Sequence, residues 1–172
     1  MGGQRGGRSA AGRRAGDPRL GRALSRLLEW DSAHASLEKA VAGLAPALRG
    51  RRPRGLPHSP WEILEHIRLA QLDILEYCTR PDYQERSWPR DFWPAAPAPP
   101  SGRAWAASLR ACRRDREALQ RLARGPRSDL LAPLPHSRGA SLLVELVLAA
   151  DHAAYHVGQL VLVRKALRDW TS

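Results

Sequence analysis

Two histidines, His152 and His156, stand four residues apart in the stretch Asp151-His152-Ala153-Ala154-Tyr155-His156-Val157-Gly158-Gln159. That stretch lies within Leu142 to Leu167, a largely apolar run with no proline and one glycine, which predicts a buried helix. On a helix the two imidazoles share one face one turn apart, a placement that can hold one metal ion. The same spacing also serves packing or hydrogen bonding in a bundle helix, so a metal reading needs a third ligand.

His66 supplies the third imidazole. It follows Ser59-Pro60-Trp61-Glu62, which has the form of a capping box with proline at the first helical position. The helix so started runs from Pro60 to about Cys78 or Arg80, with Ile63, Leu64, Ile67, Ala70, Ile74 and Leu75 on its apolar side and His66 and Asp73 along one edge. Three neutral imidazoles would leave one coordination position open, the arrangement of a catalytic rather than a structural zinc site. Nickel and iron also suit imidazole. Glu145, Asp73 and Glu62 are the acidic candidates for proton transfer, and Glu145 and Gln159 the candidates for orienting an imidazole or a bound water.

Four helices are expected to position these groups. The first starts at Asp17-Pro18 and runs to about Leu48, with His34 on its inward stripe beside Leu37 and Val41. His34 is more simply a core imidazole, with a role behind the ligands as the alternative. The third starts at Ser101 and ends at Gly125-Pro126; its charged run Arg110, Arg113, Arg114, Asp115 and Arg116 is expected mostly outside, on a solvated face. The fourth starts at Ser141, after a loop holding His136, which could reach the site or simply be exposed. Residues 81–100 carry six prolines together with Tyr83, Trp88, Phe92 and Trp93, and predict an ordered loop packed over one end of the domain, either as a substrate wall or as a core plug. No strand signal competes, so the fold class is all-α, a four-helix bundle with a Pro/Trp-rich loop between helices two and three.

The 172 residues fit one domain, 17–172, preceded by a disordered Arg/Gly-rich tail, 1–16. The net charge is +11, and residues 1–22 hold six arginines against Asp17 alone. Only Lys39 and Lys165 are lysines, so the excess reads as arginine usage rather than as a nucleic-acid surface, and no zinc-finger or RNA-binding signature accompanies it. Nucleic-acid binding is disfavoured. Cys78 and Cys112 are far apart on apolar helical faces and read as buried thiols of a cytoplasmic protein. No apolar signal core is seen, and the most apolar run, Leu142 to Ala150, is too short for a membrane span, so no membrane partner is expected.

Taken together, the Ser59-to-His66 entry, the Trp93-Pro94 loop, the Pro135-His136 loop and the Asp151-to-Gln159 helix resemble the DinB family, which includes the YfiT-type proteins and bacterial thiol transferases. The resemblance covers about Leu20 to Trp170. It implies a four-helix bundle in which His66, His152 and His156 hold a divalent ion, nickel or zinc. It also implies a metal-dependent hydrolase or thiol S-transferase acting on a small-molecule substrate, with a low-molecular-weight thiol as a further cofactor. The alternative is a non-catalytic metal- or small-molecule-binding bundle linked to stress response. A homodimer is compatible with either reading. No residue of this chain matches a thiol-binding position.

Overall fold

The computed structural model describes residues 17–29, 33–125, 129–134, 136–137 and 139–170; the expected tail, 1–16, lies outside them. Five α-helices and no strand occur among the described residues: α1 (Pro18–Leu27), α2 (Leu37–Val41), α3 (Pro60–Thr79), α4 (Gly102–Ala123) and α5 (Leu142–Ala166). The fold is an all-α bundle.

Each long helix begins where the cap residues predict. Ser59 Oγ accepts from Glu62 N, and the Glu62 carboxylate accepts from Ser59 N at 2.8 Å, so the capping box is closed on both sides. Ser101 and Ser141 cap α4 and α5 by accepting from Ala104 N and Val144 N. Asp17 caps α1.

The expected first helix, Asp17 to Leu48, is a correction. It divides into α1, α2 and a 3-10 turn at Pro46–Leu48. Ser36 accepts from Lys39 N and restarts the chain as a cap, Gly43 has φ +70°, and Pro46 has no N–H with which to continue a helix. The Arg164 guanidinium, 4% exposed, donates to the carbonyls of Ala40 and Ala42 at 2.9 and 2.8 Å, which satisfies groups that a helix end leaves open.

Helix α3 is the hub, packed on α4 along one side and on α5 along the other, while α1 crosses α4. At that crossing Gly21 is needed for close approach: a Cβ there would stand 2.3 Å from the carbonyl oxygen of Ala123. Helix α5 is long and apolar enough to cross a membrane by length and composition, yet ten of its residues, Arg164 among them, are buried inside the bundle. The apolar core has two parts. One gathers Leu37, Trp61, Ile67, Trp105, Val157 and Leu160; the other gathers Leu24, Leu28, Ile74, Leu119, Leu142 and Leu146.

The charged run of α4 is not wholly solvated. Asp115 is 3% exposed and accepts from Arg114 Nε at 2.9 Å, and Arg116 bonds Glu38 of α2 at 2.6 Å, which ties that short helix to the bundle. The remaining arginines of the run, Arg110, Arg113 and Arg114, are exposed as expected.

Candidate metal centre

The facing sides of α3 and α5 bring His66, His152 and His156 together. One ring nitrogen from each lies within 4.8 Å of the others, and the Nε2 atoms of His66 and His152 are 3.1 Å apart. The His66 ring lies 4.9 Å from that of His152 and 4.4 Å from that of His156, both edge to face. His66 and His156 are buried and His152 is partly so.

Hydrogen bonds set which nitrogen is available. His66 Nδ1 lies 2.9 Å from the carbonyl oxygen of Phe92, which can only accept, so Nδ1 carries the proton and Nε2 the lone pair. His156 Nδ1 lies 2.8 Å from Oε1 of Gln159, with the same outcome. A ligating histidine is typically oriented in this way, by donating its other N–H to a fixed oxygen.

Charge is disfavoured at all three rings. Burial, with His156 and His66 adding to it, pushes the pKa of His152 down to about 3. Burial and the neighbouring His66 push that of His156 down to about 4, against the opposing pull of Gln159. Burial also lowers that of His66, partly offset by the Phe92 carbonyl. The rings are therefore neutral at pH 7, the form in which imidazole binds a metal. A donor set of three neutral nitrogens, two of them already oriented, fits a divalent transition metal or zinc.

The cluster opens on a cleft of about 510 Å³, walled by Trp88 and Trp93 of the Pro-rich loop and by Leu148, Asp151 and Tyr155 of α5. That loop is fastened from several sides. Phe92 accepts from His66, and Pro97 accepts from the Ser59 hydroxyl. Asp73 accepts from the Tyr83 hydroxyl at 2.9 Å and from Arg86 Nε at 3.0 Å. Trp93 lies between two imidazoles, parallel to His66 at 4.1 Å and within 17° of His58 at 4.1 Å. Trp88 and Trp93 thus line the cleft.

The acidic candidates are placed elsewhere. Asp73 holds the loop through Tyr83 and Arg86, and Glu62 closes the capping box and pairs with Arg52. Glu145 is 8% exposed, and burial together with Asp73 raises its pKa; it stands seven residues before His152. None of the three lines the cleft, whereas Asp151 does. His34, expected to face inward, is exposed and bonds the Ala35 carbonyl, because the chain leaves the helical path before reaching it. His136 is exposed beside the Tyr77 ring, in a separate hollow with Cys78 and Arg80. Gln159 is where the helical spacing put it, on His156.

His58, which the sequence does not single out, also lines the cleft. It immediately precedes the cap Ser59.

A family model described as the DinB superfamily matches residues 29–160, a span that includes all three histidines. No curated protein and no solved structure matches the chain. The match covers more than half of the chain, and the helical bundle agrees with it; the chain belongs to the DinB superfamily.

Proposed function

We propose that the protein is a divalent-metal-dependent enzyme that acts on a small molecule, as a hydrolase or as a thiol S-transferase. The observation that carries this reading is the convergence of three neutral imidazole nitrogens within 4.8 Å at the floor of an open cleft. A divalent cation held by His66, His152 and His156 would supply Lewis acidity, lowering the pKa of a water or thiol and polarising a substrate oxygen. The chain's own residues do the rest. Phe92 and Gln159 keep the two Nδ1 protons away from the centre, so that the Nε2 lone pairs of His66 and His156 serve as donors. Trp88, Trp93 and Tyr155 shield a bound molecule from water, and Asp151 is the carboxylate at the cleft able to take or return a proton. Nickel and zinc both suit the donors. The free thiols of Cys78 and Cys112 support the cytoplasmic setting.

Metal analysis of the purified full-length chain and of His152→Ala is the first test. About one divalent ion per chain, lost in the variant, is expected; absence of the ion from both overturns the reading. A screen of thiols and hydrolysable esters against the loaded protein then separates catalysis from binding. Sustained turnover supports the enzyme, and stoichiometric uptake without turnover leaves a metal-binding bundle in its place.

A further inference from the structure

Next to the metal centre is a second, smaller cavity that the three histidines do not use. It holds about 110 Å³, and it shares Pro57, His58 and Gln159 with the larger cleft. Its remaining walls are aliphatic. Ile63 and Val163, 1% and 3% exposed, form the floor, and Leu56 and Leu162 form the rim. Such a cavity offers water almost no polar partner, so it favours an apolar occupant. Taking about 30 Å³, a water's share of liquid volume, as the unit, it has room for about four methylene-sized groups.

The junction between the two cavities is polar. Gln159 Oε1 is engaged by His156, so Gln159 has only its amide N–H groups to offer there, and His58 is the other polar side chain that lines both cavities. Its Nδ1 is buried without a hydrogen-bond partner. A buried N–H without an acceptor is rarer and costlier than a bare acceptor, so the proton belongs on Nε2. With the proton on Nε2, His58 has an N–H to offer a ligand that spans the two cavities it lines, and the stack on Trp93 holds its ring.

We infer that the cleft takes a small carbonyl or carboxyl compound whose polar head lies at the three histidines, whose oxygen meets the His58 N–H, and whose straight aliphatic arm fills the pocket of Leu56, Ile63, Leu162 and Val163. The inference rests on the metal reading above and adds to it the class and the length of the ligand. An arm much larger than about four carbons is excluded by the size of the pocket, and a second charge on the arm by its aliphatic walls.

The probes are straight-chain alkyl hydroxamates, acetyl to octanoyl, titrated by calorimetry into the full-length chain after zinc loading has been measured directly. Affinity is expected to rise about fourfold per methylene, the increment for burying one CH₂, over about four carbons and then to level off. Leu162→Trp, at a rim position 54% exposed and therefore tolerant of substitution, is expected to abolish the rise. Leu56→Phe should do the same from the opposite rim. His58→Phe keeps the stack and removes the donor, so affinity for every member should fall about fivefold at unchanged zinc content. An affinity that does not depend on chain length, or a rise that persists in both rim variants, overturns the inference while the metal reading stands. Absence of any bound divalent ion after loading with zinc or with nickel overturns both.

Discussion

The Nε2 atoms of His66 and His152 face each other at 3.1 Å across the α3–α5 interface. The Phe92 carbonyl keeps the other His66 nitrogen protonated, so the His66 lone pair is the one turned toward His152, and a proton or a cation has to lie between the rings. Replacing either ring by alanine is expected to abolish stoichiometric metal binding. Gln159→Leu, which leaves the ligands in place and frees the His156 ring, should weaken metal affinity about 10- to 100-fold, measured by competition with a chromophoric chelator. Unchanged affinity in Gln159→Leu would show that the orienting bond is idle.

Trp93 separates His58 from His66 at 4.1 Å on each side. Trp93→Ala removes the surface against which His66 is held. Metal affinity should fall while the far-ultraviolet circular dichroism of the helices is retained, because Trp93 is half-buried on a loop rather than in the core. A variant that unfolds outright would place Trp93 in the folding core instead.

Glu62 links stability to pH. Burial pushes its pKa up, but the Arg52 guanidinium and the Ser59 backbone N–H outweigh this and hold it below the usual 4.5. A carboxylate more acidic when folded than when unfolded contributes stability above pH 4.5, and that contribution disappears as the pH falls through the folded value. Glu62→Gln keeps an acceptor for the cap and removes the charge. Thermal melts between pH 6 and pH 3 should therefore show a smaller loss of Tm on acidification in the variant than in the parent chain.

Burial raises the pKa of both Cys78 and Cys112 to about 12. Almost no thiolate exists at pH 8, and thiolate is the reactive form. Alkylation by iodoacetamide at that pH should be much slower for the folded chain than for the chain in denaturant. Fast labelling of Cys78 in the folded state would contradict its placement.

Arg164→Met should be among the most damaging substitutions, since it strands the carbonyls of Ala40 and Ala42 that the guanidinium now satisfies. A loss of about 3 kcal/mol in denaturant unfolding is expected.

The parts of this molecule legible in the sequence were those governed by local rules. Ser59, Ser101 and Ser141 marked helix starts because a hydroxyl followed by helical N–H groups has one good use. The pairing of His152 with His156 followed from one turn of helix, and the meeting with His66 followed from placing two helices side by side. Groups claimed by distant partners were not legible. Asp73 and Glu62 stand on suitable helices, but Tyr83, Arg86 and Arg52 arrive from loops with no periodicity to read. The Trp93 stack on His58 and His66 was hidden for the same reason. In the N-terminal region, apolar residues spaced as in one helix concealed a break, because Ser36, Gly43 and Pro46 act one at a time.

The bond from His66 to the Phe92 carbonyl has one further consequence. The Pro-rich segment is joined through it to the same ring that would grip an ion, so loading the centre tightens a loop that is otherwise held by a few side chains. Metal uptake should therefore be visible beyond the ligands themselves, as slower hydrogen exchange and slower proteolytic nicking between residues 81 and 100. A bound ion would then act as a clasp on the rim of its own cleft.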